Sequence, residues 1–227
     1  MLVKHGGYRK LKSFRTAQLS FDITVQFCSR FVDRRSRTHD QMVQAARSGV
    51  QNIAEGSQAS ATSKRTELKL TGVARASLEE LGLDFEDYLR QHGLALWPRD
   101  HPALVELRRC RPETLDEFRA WVNDEELHRR AAIEMAQRAQ SASPSSPSSP
   151  SSLPIRIPPI DVRVANGALL IIGVACYCLD KQLESLGEAF AEEGGFTERL
   201  DRLRRERRSR PCTSSPRQTS CPTALTA

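Results

Sequence analysis

The chain has 227 residues, 39% of them hydrophobic and 27% charged, a balance that excludes a disordered polyampholyte and leaves apolar material for a sizeable core. Its 34 lysines and arginines exceed its 28 acids by six, so polyanions suit it better than basic ligands do. The surplus is polarised: residues 1–15 hold Lys4, Arg9, Lys10, Lys12 and Arg15 with no acid, and residues 199–217 hold eight arginines against Asp201 and Glu206, a net of +6. The middle of the chain is therefore net acidic.

Six cysteines, Cys28, Cys110, Cys176, Cys178, Cys212 and Cys221, form no C-x-x-C pair, and Cys28 and Cys176 fall in apolar helical patterns. They read as reduced thiols of a cytoplasmic protein. The opening residues lack the apolar core of a signal peptide. The apolar run from Gly167 to Leu179 is shorter than the ~20 residues of a membrane span, so a core helix is expected and no membrane partner.

Apolar residues recur at helical spacing along most of the chain. Phe14, Ala17, Phe21, Cys28 and Phe31, widened by Leu19, Ile23 and Phe27, predict a first helix buried over much of its girth. Val43, Ala46, Val50 and Ile53 predict a second. It is expected to start on a capping box at Thr38–Gln41 and to stop at Gly56, with a loop from Ser57 to Thr62. A third is expected from near Ser63, through Thr71, Ala74, Leu78, Leu81, Phe85 and Tyr88, to His92-Gly93. Arg111-Pro112-Glu113 opens a further helix with Leu115, Phe118 and Val122 on one side, running to about Ala139 and expected outside the core. The strongest pattern comes late: Val162, Ala165, Leu169, Ile172, Cys176, Leu179, Leu183, Leu186 and Phe190 step by three and four, predicting a fourth core helix over 160–193. Gly194-Gly195 is the expected cap, and a short basic helix from Thr197 to about Arg208 is expected after it.

The predicted fold class is thus all-α, an up-and-down four-helix bundle with an extra helix and a Ser/Pro linker between its third and fourth helices. Residues 1–97 hold the first three helices, 98–140 an accessory helical insertion and 141–159 the Ser-Ser-Pro linker. Residues 160–208 hold the fourth helix with its basic suffix, and 209–227 a Ser/Thr/Pro-rich tail of disordered composition.

Two stretches carry a resemblance. One comprises Gln41, Ala45-Ala46, Ser48, Asn52-Ile53-Ala54-Glu55-Gly56, Ala74 and Ser77-Leu78-Glu79-Glu80-Leu81. The other comprises Ala165-Asn166, Leu179-Asp180-Lys181-Gln182-Leu183 and Gly194-Gly195-Phe196-Thr197-Glu198-Arg199-Leu200. Over residues 8–97 and 160–208 the chain resembles the bacterial four helix bundle proteins encoded in intervening sequences of large-subunit ribosomal RNA genes. The accessory protein of diversity-generating retroelements is a relative of that family. The resemblance implies a homopentamer with a basic surface, partnered by nucleic acid or by a reverse transcriptase–RNA complex, with no catalytic activity and no cofactor. Residues 98–159 and 209–227 have no counterpart in it.

The residues themselves point to phosphate contacts. Arg9, Lys10 and Lys12, then Arg34, Arg35 and Arg37, then Lys64 and Arg65, then Arg204, Arg205, Arg207 and Arg208 are the candidate nucleic-acid-binding residues. Few aromatics accompany them, so sequence-tolerant backbone binding is expected rather than base stacking. The alternative is a scaffold or adaptor whose basic arm docks an acidic protein such as a polymerase. Ser48, Asn52 and Glu55 share one helical face, and Ser77, Glu80 and Asp84 share another, so a structural polar network between the second and third helices is expected. Glu79, Glu80, Asp84, Glu86 and Asp87 form an acidic stretch without adjacent cations, a candidate contact with the basic patch of a neighbouring copy. Leu170, Ile171 and Val174 exceed what a lone bundle would bury, so this face is expected at the interface of a homo-oligomer, most simply of five subunits. Gly49, Gly72 and Gly82 are expected at close helix contacts. Glu125–His128 holds one Glu-x-x-His, half of a di-iron signature, which needs two copies, so no metal is expected.

Overall fold

Seven α-helices and one 3-10 turn make up the computed structural model, which describes residues 7–141, 156–193 and 204–205; no strand occurs among them. The protein is all-α. The turn Tyr8–Lys10 leads into α1 (Lys12–Phe31), whose Ala17, Leu19, Ile23, Phe27 and Cys28 are buried, as the wide apolar stripe requires.

Helix α2 (Arg37–Ala59) departs from expectation at both ends. Its cap is Ser36, whose hydroxyl accepts the Thr38 amide at 3.2 Å, so the Thr38 box is replaced by a cap two residues earlier. Gly56 does not stop it. That glycine is buried against Leu70, whose Cβ would lie 3.3 Å from an added methyl, and the helix runs three residues further. Helix α3 (Lys64–Gln91) keeps its expected limits. The Ser63 hydroxyl accepts the Thr66 amide at 3.2 Å, and beyond His92 the chain turns through Gly93 at φ +64°, where a side chain would be strained.

Helix α7 (Ile160–Glu193) takes the span its heptads predict. It lies beside α1 and α3, while α2 lies beside α1 and α3 on the other side, closing a cycle of four long helices. Phe27, Leu78, Phe85 and Leu179 fill the space they enclose. Gly49 is needed there: a Cβ would come 2.7 Å from Leu78, so α2 and α3 touch backbone to side chain. Gly72 has nothing within 4 Å and Gly82 meets only Ile172 at 3.8 Å, so neither marks a close contact. By length and composition α7 is also apolar enough to cross a membrane, but more than half of its most apolar window is buried within the protein.

The insertion corrects the sequence reading most. It is three helices: α4 (Pro102–Cys110), which the sequence reading did not predict, α5 (Leu115–Asn123) and α6 (Glu125–Ser141), the last two separated at Asp124. Thr114 and Glu117 form a reciprocal capping box at the start of α5. Far from lying outside the core, Leu104, Leu107, Phe118, Trp121 and Val122 are buried in it. Gly167 of α7 makes the seat, since a Cβ there would fall 2.7 Å from the Trp121 ring and 2.9 Å from Phe118.

Two buried polar side chains tie this layer down. Arg163 donates to the carbonyls of Val122 at 2.8 Å and Pro158 at 2.7 Å. Asn166 accepts the Trp97 amide at 2.7 Å and donates to the Ala95 carbonyl at 3.0 Å. Both satisfy backbone that no helix serves, which burial would otherwise penalise by about 1–3 kcal/mol per group. Residues 142–155 of the predicted linker, the Gly194-Gly195 cap, most of the basic suffix and the tail lie outside the described residues.

Candidate nucleic-acid interface

Consecutive antiparallel helices sort the predicted cations into two poles. Tyr8–Lys10, the start of α1 and the start of α3 meet at one, which holds Arg9, Lys10, Lys12, Lys64 and Arg65. Helix α7 returns to this pole, where the Ser13 hydroxyl donates to the Gln182 side chain at 2.8 Å. Arg34 and Arg35, in the turn after α1, and Arg37, opening α2, occupy the opposite pole. The 20 residues of α1 separate the two by about 30 Å.

At the first pole Arg9, Lys10, Lys12 and Arg65 are exposed, and among the described residues none is in an ion pair. Lys64 differs, since its Nζ lies 3.0 Å from Glu67, a half-satisfied cation. The Arg9 guanidinium sits over the Tyr8 ring at 5.6 Å, which holds it outward at the pole. At the second pole Arg34, Arg35 and Arg37 are exposed. Arg204 and Arg205 are exposed and helical, while Arg207 and Arg208 lie outside the described residues.

The polar network is present in reduced form. The Ser48 and Ser77 hydroxyls are 3.0 Å apart, and the Asn52 amide donates to the Ser48 carbonyl at 2.9 Å and its hydroxyl at 3.0 Å. Glu55 and Glu80 are exposed and join none of these bonds. Glu80 instead lines a cleft of about 450 Å³ between α2 and α3 that Arg37 and Asp40 share. The acidic stretch of α3 is less bare than it reads. Arg75 pairs with Glu79 at 2.8 Å and with Asp180, and Arg90 pairs with Asp87 at 2.8 Å. Asp84 is held above its ordinary pKa by burial, then by Glu80 and Asp87.

Ile171, expected on an open face, is buried. Leu170 and Val174 stay partly exposed and line two clefts that no single helix pattern reveals. Those clefts bring in Arg15, counted in the sequence only toward the N-terminal charge, Arg111, read there only as a helix start, and Arg99 and Arg108, which the sequence did not single out. The nonamer Pro102–Cys110 is too short to declare its period, and only in the fold are its Ala103, Leu104 and Leu107 seen to be buried while Arg108 and Arg109 project.

His128 of the Glu-x-x-His serves structure. Its Nε2 donates to the Trp121 carbonyl at 3.0 Å, its Nδ1 is buried without a partner, and its ring meets Trp121 edge-on at 5.0 Å. Among the described residues no three His, Cys, Asp or Glu side chains are grouped to hold a metal ion. Cys28, Cys110, Cys176 and Cys178 are free thiols; burial pushes Cys28 up to about 12 and Cys176 up to about 11. Compared with family models, curated proteins and solved structures, the chain gives no match.

Proposed function

We propose that the chain is a non-enzymatic nucleic-acid-binding protein of the cytoplasm, an up-and-down four-helix bundle that grips RNA or DNA phosphates through its basic poles. The observation that carries this reading is the gathering, at one end of the helices, of cations from segments more than fifty residues apart, with Arg9, Lys10, Lys12 and Arg65 exposed and unpaired among the described residues. A structural role for such a cluster would pair it with carboxylates, as Arg75, Arg90 and Arg109 are paired. Free thiols fit a reducing compartment.

Self-association belongs to the same reading, with five copies as the resemblance to the rRNA intervening-sequence proteins implies. Supporting it, α3 turns Val73 and Leu83 to solvent, 41% and 64% exposed, beside the exposed Glu80 and Glu86. The next copy would repeat the basic pole around a ring.

The test is fluorescence anisotropy with a labelled 20-base-pair duplex and a labelled RNA hairpin across a salt series. Each lost phosphate contact flattens the slope of log K against log salt by about 0.9 on duplex DNA, so R9Q/K10Q/K12Q/R65Q should flatten it by up to about 3.6. Light scattering on the same samples reports the assembly. A quadruple variant that keeps both affinity and slope excludes this pole. The same result for R34Q/R35Q/R37Q then leaves the adaptor reading, which the second surface below favours.

A further inference from the structure

An apolar ridge on α7 lies between two clefts whose rims are cationic. Leu170, Gly173, Val174 and Tyr177 fall on one face of that helix, at spacings of three and four. Tyr177 is 63% exposed, and Gly173 has nothing within 4 Å, so another backbone can come close there. One cleft, of about 570 Å³, is floored by Leu19, Leu107 and Ile171 and opens toward α1. The other, of about 770 Å³, is floored by Leu104 and Leu169, with the exposed Leu96 and the Trp97 ring along its side, and opens toward α3. Leu170, Val174 and Arg108 line both, so the two are halves of one surface.

Its charge is one-sided. Lys12, Arg15, Arg99, Arg108 and Arg111 stand on the rims against Glu86 and Glu113. Glu113 is engaged by Arg15 at 2.9 Å, and among the described residues Lys12, Arg99, Arg108 and Arg111 are in no ion pair. Arg108 is aimed by its own bond to the Arg99 carbonyl. Arg111 sits at φ +48°, the one non-glycine residue of positive φ among those described, where Gly or Asn is the usual occupant. That conformation ends α4, the Arg111 amide donating to the Leu107 carbonyl, and leaves the arginine on the rim of the apolar cleft.

We propose that this surface docks an amphipathic helix of a protein partner, apolar along one stripe and acidic on both flanks. Apolar side chains of such a helix fill the two clefts on either side of the α7 ridge, and its carboxylates meet the guanidinium groups on the rims. Nucleic acid suits it less well: of the two rings that line it, Trp97 is already stacked on His101 and Tyr177 is faced by Lys181, which leaves no run of free aromatic platforms for bases, and the rest of the lining is aliphatic. The chain's own remaining segments do not suit it either. Residues 142–155 carry no acid, and residues 194–227 carry eight arginines against three acids, a surplus that the rims repel. The proposal shares Lys12 with the phosphate-binding pole but rests on Arg108 and Tyr177, which lie outside that pole.

The probe is a fluorescein-labelled 18-residue helix with Leu at positions i, i+3, i+4 and i+7 and Glu on its flanks. It is compared with the same helix bearing Lys flanks and with one bearing Ser in place of Leu. Full-length protein should bind the acidic helix at micromolar concentration and each control at least tenfold more weakly. Arg108→Glu and, separately, Tyr177→Glu should each weaken acidic-helix binding at least tenfold with an unchanged melting temperature and circular dichroism. Both positions are exposed, so misfolding does not confound the result. The same variants should leave duplex DNA affinity within twofold. Equal binding of the acidic and Lys-flanked helices, or variants that bind as wild type does, overturns the proposal. Light scattering in which Tyr177→Glu dissociates an assembly of the chain also overturns it, in favour of a second copy as the occupant.

Discussion

Lowering the pH from 7.5 to 4.5 charges two imidazoles in the unfolded chain that the folded chain keeps neutral. His101 and His128 are both buried, each with an unpartnered Nδ1, and burial is the main cause that lowers each to about 4 from an ordinary 6.5. Arg138 adds to the effect at His101, and Arg163 and His101 add to it at His128. Above pH 6.5 neither state binds the proton and the groups cost nothing. Between 6.5 and 4 the unfolded state gains protons that the folded state refuses, so stability falls with pH and levels off below 4. Each imidazole forfeits roughly 3 kcal/mol over that window, a large share of the 5–15 kcal/mol typical of a domain. Asp84, raised by burial, works weakly in the opposite direction. The protein's two tryptophans report on the spot: Trp97 stacks on His101 at 4.0 Å and Trp121 touches His128. Urea unfolding at pH 7.5, 6.5, 5.5 and 4.5, followed by tryptophan fluorescence and by circular dichroism, should show stability falling across the lower three values. His101→Phe, which keeps the stack on Trp97, should retain neutral-pH stability and remove about half of the fall. A stability that is flat to pH 4.5, or an unchanged fall in His101→Phe, would refute the reasoning.

Glycine positions on α7 should respond with opposite signs. Gly167→Leu forces Trp121 and Phe118 outward and should cost about 2–3 kcal/mol or more in thermal or urea melts. Gly187→Ala, with nothing within 4 Å, should gain up to about 1 kcal/mol from helix propensity. Thiol alkylation read by peptide mass spectrometry should find Cys110 labelled within minutes at pH 9. Cys28, buried and pushed up to about 12, should react only after urea is added.

What the sequence made legible was periodic. The four long helices follow from unbroken steps of three and four, and Ser63 and His92-Gly93 mark α3 because cap chemistry is local. The insertion was not legible for two reasons. Helix α4 has only nine residues, too few for a period to show, and the Ser-Ser-Pro stretch after α6 suggested an excursion away from the core. The correcting signal lies in α7 itself, where Arg163, Asn166 and Gly167 interrupt an apolar helix. A buried arginine and asparagine need irregular backbone to serve, and the glycine that follows them leaves room for a bulky ring. The candidate phosphate-binding residues could be named from charge alone. Their sorting into two poles needed the antiparallel order, and the α7 clefts needed α4, so neither was within reach of a linear reading.

The closing of the helix cycle has a meaning in time as well as in space. Helix α1 packs against α7, and the bond from Ser13 to Gln182 joins residues 169 positions apart. On the ribosome, α1, α2 and α3 emerge together and can pair at once. The face of α3 that meets α7, with Arg75, Gly82 and Tyr88 on it, must wait for about a hundred further residues, roughly 5–20 seconds of synthesis. During that interval the nascent chain displays an open apolar trough with the arms of an incomplete ring on either side. Arrival of α7 seals the trough and, through Arg163 and Asn166, seats the insertion in the same event. Translation pauses placed before residue 160 should therefore raise aggregation and chaperone capture, whereas a pause of the same length placed before α3 is complete should raise them less.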